Sequence, residues 1–130
     1  MPTRIRLERA RRWRKPLDTR VVTRATRYGN PFKIVPLVRG FSHSWRVVWV
    51  GRGAGFERMP PADFETIECE TEHQAHEQAV RLFRFWITAP EQADLLDRAR
   101  HELVGFNLAC TCRLDLPCHA DVLLELANQP

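Results

Sequence analysis

The sequence predicts an α/β fold: a small mixed sheet with parallel core strands flanked by helices, Rossmann-like in three layers, with a β-hairpin insertion. Three observations carry this expectation. Short β-rich runs at 19–25 and 106–112 are separated by two stretches of helical period, and a helical crossover favours parallel pairing with both faces covered. Two further apolar runs, 33–38 and 45–50, flank Gly40, Ser42 and Ser44, the pattern of a hairpin. A last periodic run at 119–127 reads as a terminal helix. At 130 residues the chain reads as one domain, residues 19–130, behind a basic arm, residues 1–18.

Each element follows from local chemistry. Residues 1–18 read as an arm or a short helix ended by Pro16. Thr19 to Ala25 is β-branched and short, hence a strand. Gly29-Asn30-Pro31 then forces a turn, because Pro31 holds Asn30 out of the helical region. Trp45 to Val50 is apolar on both faces, too much so for a solvated edge. Residues 51–70 hold Gly and Pro clusters and read as an irregular excursion. Thr71 with Gln74 forms a capping box, and Ala75, Ala79, Leu82, Phe83, Trp86 and Ile87 line one helical face behind it. Thr88 with Glu91, and Pro90 early in the helix, predict the next start. Leu95, Leu96, Ala99 and Leu103 form its stripe, and Gly105 fits its end.

Composition narrows the class. No window offers the ~20 apolar residues of a membrane span. The N-terminal arginines have no apolar stretch behind them, so a secretory signal is not expected. The expected compartment is the cytoplasm, where disulfides are uncommon. The net charge of +4 hides an asymmetry: residues 1–39 hold twelve Lys/Arg against two acids, residues 40–130 eight Arg against fourteen. The densest basic stretch includes Arg9, Arg11, Arg12, Arg14 and Lys15. Such a block attracts phosphate backbones by counterion release, or is simply a solvated arm.

The chemistry concentrates near the C-terminus. Cys110, Cys112, Cys118 and His119 fall in the loop between a predicted strand and a predicted helix. If strands 19–25 and 106–112 are parallel, this loop and the Gly29-Asn30-Pro31 loop leave the sheet at the same edge, where open α/β sheets hold ligands. Three readings of the cluster stay open. Three thiolates and an imidazole match a Cys₃His zinc set, but tetrahedral zinc with ~2.3 Å bonds needs sulfurs roughly 3.8 Å apart. Alternate strand residues lie about 6.6 Å apart, so Cys110 and Cys112 can share an ion only if the strand breaks between them. A partial site with an open position is easier and is catalytic in style. Alternatively, Cys118 is a thiolate at a helix N-terminus, paired with His119. The third reading makes the cysteines small buried hydrophobes. Asp121 is either a helix-start residue or a ligand-binding carboxylate, and Asn30 either a turn residue or an orienting amide. Arg24 and Arg27 flank the same loop and can hold a phosphate, or are surface charges. Cys69 reads as incidental. His43, His73, His76 and His101 lack ligand spacing, and His73 and His76 fall on the polar side of a helix. There is no phosphate-cradling Gly-rich motif, serine elbow or two-histidine zincin motif.

Three stretches resemble the family known as domain of unknown function 4326 (DUF4326), found in phage and bacterial genomes. They are Val21-Val-Thr-Arg-Ala-Thr-Arg-Tyr-Gly-Asn-Pro-Phe32, the helix Ala79–Trp86, and Leu108-Ala-Cys-Thr-Cys112 with Pro117-Cys-His-Ala-Asp-Val-Leu-Leu-Glu-Leu-Ala-Asn128. The similarity covers nearly the whole chain and is weakest across residues 33–70. Thr111 and Tyr28 stand where relatives often carry Trp. The resemblance implies no activity, so whether the chain is an enzyme stays open.

The leading expectation is a pocket between the Gly29-Asn30-Pro31 loop and the Cys110–Asp121 loop, binding a nucleotide, nucleobase or phosphate-bearing ligand through Arg24, Arg27, Gly29 and Asn30. Cys118, His119 and Asp121 are its catalytic candidates; Cys110, Cys112, Cys118 and His119 are its zinc candidates. A different expectation is a zinc-stabilised nucleic-acid-binding module that works through the arm. A phage-type interaction factor without chemistry is the third.

Overall fold

A computed structural model describes residues 1–8, 10, 12–51 and 64–129. It shows a mixed α/β protein with six strands and three α-helices among the described residues: β1 (Arg4–Arg6), β2 (Thr19–Val21), β3 (Phe32–Arg39), β4 (Ser42–Trp49), β5 (Ile67–Cys69), α1 (Glu72–Ile87), α2 (Ala93–Glu102), β6 (Asn107–Cys110) and α3 (His119–Ala127). No helix among them is long and apolar enough to cross a membrane.

The strands form two sheets, not the single mixed sheet expected. In the first, β6 lies between β1 and β2 and is parallel to both. In the second, β3, β4 and β5 pair antiparallel. The hairpin therefore makes its own sheet instead of extending the first. Its two-residue loop has Gly40 at φ +59°, the positive value that a tight hairpin turn needs at its first position. Pro36 is tolerated inside β3 because β3 is an edge strand with one unpaired side.

Residues expected to be arm or short helix contain a strand. Arg4 pairs with Leu108 and Arg6 with Cys110, and Leu7 N–H extends the ladder to the Cys110 carbonyl at 2.8 Å. Three residues of Arg-Ile-Arg carry no strand signal of their own; β6, buried at Leu108, Ala109 and Cys110, supplies the pairing. Arg9 and Arg11 lie outside the described residues, while Arg12, Arg14 and Lys15 are exposed. β5 falls in the stretch expected to be irregular, most of which (52–63) also lies outside the described residues.

The helix starts divide. The Thr71 capping box forms in both directions: Gln74 N–H donates to Thr71 Oγ1 (3.1 Å) and Thr71 N–H to Gln74 Oε1 (3.2 Å). Thr88, expected to open the next helix, closes α1 instead, its hydroxyl donating to the Arg84 carbonyl at 2.6 Å. A 3₁₀ turn, Pro90–Gln92, leads into α2, and Gly105 follows its end at φ +80°.

The core joins both sheets through α1. Phe83 and Ile87 are fully buried, as are Leu108 and Leu123. Rings run in sequence from the hairpin to α3. Phe32 meets Trp49 at 5.2 Å, Trp49 meets Trp86 at 6.4 Å, Trp86 meets Phe83 at 5.9 Å, and Phe83 meets His119 edge-on at 5.2 Å. Offset and edge contacts at these spacings are favourable ring geometries. They set the position of His119 relative to the hairpin.

Candidate functional site

β2 and β6 are parallel, so the segments leaving their C-terminal ends emerge on one rim. A cavity of about 310 Å³ opens there. One wall is the rim itself, with Arg24 and Asn30 from the first loop and Cys110, Cys112, Cys118 and His119 from the second. The hairpin adds Phe32, Lys33 and Trp45, and α1 adds Glu72, His76 and Ala79.

The sulfurs meet because β6 stops at Cys110. Past that residue the chain turns, and Cys110 Sγ lies 3.8 Å from Cys112 Sγ. A continuing strand would hold them roughly 6.6 Å apart. Cys118, the N-cap residue of α3, brings its sulfur in from the far end of the loop, and all three sulfurs lie within 4.8 Å of one another. Tetrahedral zinc sets thiolate sulfurs about 3.8 Å apart, so this set fits a metal ion. Cys69, in β5, is not in the group.

With protons as the only cations, the three thiols share their charge unevenly. The Cys110 thiol is pushed far down, because Cys112 and then Cys118 hydrogen-bond to its thiolate. Cys112 is pushed up to about 11, first by that bond to Cys110. Cys118 is pushed up strongly by its bonds to Cys110 and Cys112 and by burial. The three sulfurs thus share one another's protons, and the charge belongs to the group.

His119 stands beside the sulfurs and outside their set. Its Nε2 lies 2.7 Å from the Val22 carbonyl, which can only accept, so Nε2 carries the proton. Nδ1 is then the lone-pair nitrogen, 3.6 Å from Cys118 Sγ. Burial holds the imidazole below its ordinary pKa, which keeps it neutral. Asp121 is half exposed and acts at the start of α3: Oδ2 accepts the Cys118 N–H (3.3 Å), and Oδ1 pairs with Arg4 Nε (3.3 Å).

In the other loop, Asn30 is buried with both ends of its amide engaged. Nδ2 donates to the Ala79 carbonyl (3.2 Å), and Oδ1 accepts from Phe32 N–H (2.9 Å). Its carbonyl accepts from Arg24 Nε at 3.1 Å. The amide thus clamps the loop to α1 and to the hairpin. Gly29 lines no part of the cavity, yet a Cβ there would stand 2.3 Å from Arg24 Cα. The turn closes only on glycine. Arg24 stays on the rim, its pKa lowered by burial while Cys110 and Cys112 favour its charge. Arg27 is not among the cavity residues; its charge is felt by Tyr28, whose hydroxyl donates to Glu102.

His76 was passed over in the sequence, where it sits on the polar flank of a helix. The loop comes to it: Nδ1 lies 3.2 Å from the Pro117 carbonyl, the residue before Cys118. Burial lowers its pKa. Arg113, between Cys112 and Cys118 in sequence, pairs with Glu72 at 3.4 Å. Only the loop's path over α1 reveals these partners.

No curated protein and no solved structure matches this chain. The model of one family, described as a domain of unknown function (DUF4326), matches residues 5–129. That span includes both loops, and the chain belongs to the DUF4326 family.

Proposed function

We propose that this protein is a metal-centred enzyme acting on a small phosphate-bearing ligand of the nucleotide class, with Cys110, Cys112 and Cys118 as the metal ligands. The observation that carries the reading is the three-sulfur set, within 4.8 Å, facing an open cavity. Three soft thiolates select zinc over hard cations such as magnesium. Three protein ligands leave the fourth position to the cavity, the style of a catalytic site. A zinc ion held there supplies Lewis acidity to a ligand oxygen.

The remaining residues have roles in binding. Arg24 and Lys33 place positive charge on the rim, suited to phosphate oxygens. Trp45 and Phe32 offer apolar ring surface to a base. His119 hydrogen-bonds Val22 and abuts the Cys118 sulfur, which orients that ligand. His76 is the acid–base group on the α1 wall.

Metal content tests the reading. Purified protein should carry one zinc per chain. Cys110→Ser, Cys112→Ser and Cys118→Ser should each lose it, and Cys69→Ser should keep it. Calorimetry with a nucleotide panel should give binding that Arg24→Gln weakens. A full complement of zinc in all three single serine variants would end the metal assignment. Equal affinity of wild type and Arg24→Gln for every nucleotide would end the ligand assignment.

A further inference from the structure

Arg4 belongs to the stretch whose charge suggested a nucleic-acid arm, yet its side chain is only 11% exposed. It lies in β1, two residues before Arg6 pairs with Cys110, and its guanidinium reaches both sides of the cysteine loop. Nη2 donates to the carbonyl of Leu114, just past Cys112, at 2.9 Å. Nε pairs with Asp121, just past Cys118, at 3.3 Å. Nη1 is buried and has no hydrogen-bond partner among the described residues. A buried charged donor without an acceptor is uncommon, because losing its water is uncompensated. Its position suggests an acceptor that forms in another state of the site.

The sulfur cluster supplies such an acceptor. Cys112 stands two residues before the Leu114 carbonyl that Arg4 Nη2 holds at 2.9 Å. Metal binding removes the thiol protons. Cys110 and Cys112, whose sulfurs share one S–H contact at 3.8 Å in the metal-free cluster, are then both acceptors only.

We propose that Arg4 is a positioning residue of the metal centre, donating from Nη1 to the Cys112 sulfur when that sulfur is a metal-bound thiolate, while Nη2 and Nε hold the two flanks of the loop. The proposal rests on the metal reading of the cluster. It gives β1 a chemical role distinct from a phosphate-binding arm.

Cobalt titration of the full chain tests it, followed by the thiolate-to-cobalt absorption band. Wild type, Arg4→Met and Arg4→Lys are compared, and each metal-free protein is also melted. Arg4→Met should bind cobalt about 10–100-fold more weakly, the usual effect of removing an outer partner of a metal ligand. Arg4→Lys keeps the charge and loses the fork, so it should recover only part of that loss. A merely structural role would lower the metal-free melting temperature and leave the cobalt affinity of the folded protein unchanged. Wild-type affinity in folded Arg4→Met overturns the proposal; if that variant does not fold, wild-type affinity in Arg4→Lys overturns it. Wild-type protein that gives no thiolate band defeats the metal reading and this proposal with it. Loss confined to the Arg4 variants supports both.

Discussion

Asn30→Ala should loosen the pocket without touching a sulfur. The alanine removes two hydrogen bonds, one to the Ala79 carbonyl and one from Phe32 N–H. Ala79 lies inside α1, where its carbonyl keeps its helical partner. Phe32 N–H has no such reserve and becomes an orphan at a residue 2% exposed. Two net bonds at about 1 kcal/mol each, with ~1 kcal/mol or more for the buried donor, give a loss of about 3 kcal/mol. For a chain of 130 residues, an unfolding entropy of roughly 2.1 cal/mol/K per residue converts this to about 10 °C in melting temperature. Asn30→Asp should fail to rescue. It keeps an acceptor for Phe32 but sets a second carboxylate oxygen against the Ala79 carbonyl. Urea unfolding of chelator-treated wild type and both variants measures the losses. Because Asn30 O also receives Arg24 Nε, the folded variants should lose nucleotide affinity as well. A change below about 0.5 kcal/mol, the size of an ordinary surface substitution, would refute the clamp.

The neighbouring glycine and the buried imidazole give two more tests. Gly29→Ala drives a methyl to 2.3 Å from Arg24 Cα and 2.8 Å from the Thr23 carbonyl, both backbone atoms that cannot swing aside. It should cost about 3 kcal/mol, the upper range of overpacking, and a urea midpoint equal to wild type would contradict that packing. His119 is held by burial below the ordinary imidazole value of 6.5, so below pH 6.5 the unfolded chain takes a proton that the folded one refuses. Stability therefore falls as the solution is acidified past that value, by at most about 1.4 kcal/mol per pH unit for one group. In metal-free protein, His119→Gln should lose this part of the slope between pH 7.5 and 5.5, with His76 contributing equally to both proteins. Parallel slopes would show that His119 takes up its proton in the folded state.

Much of the site could be read from the chain because parallel pairing is a strong constraint. Once strands near 20 and 108 are joined through helices, both following loops must leave one edge, and Arg24, Asn30 and the cysteines meet there. The helices were legible for local reasons: the Thr71–Gln74 box and the stripe through Phe83 mark α1, and His119–Ala127 matches its apolar period. Thr88 misled because the same hydroxyl that opens a helix also closes one through a carbonyl three or four residues back. β1 and β5, three residues each, carry no period of their own and exist through partners distant in sequence. The hairpin's separation into a second sheet depends on which edges stay unpaired, which local pattern does not encode. His76 needed the path of a loop forty-one residues away.

Placing β6 between β1 and β2 has a kinetic consequence. Thr3 N–H bonds the Asn107 side chain across 104 positions, and both outer strands pair with one that follows them by more than eighty residues. Contacts this remote slow folding, because a long loop must close before they form. During synthesis the two outer strands leave the ribosome well before their central partner. They must wait, still able to pair elsewhere, and the three cysteines come together only at the end of that wait.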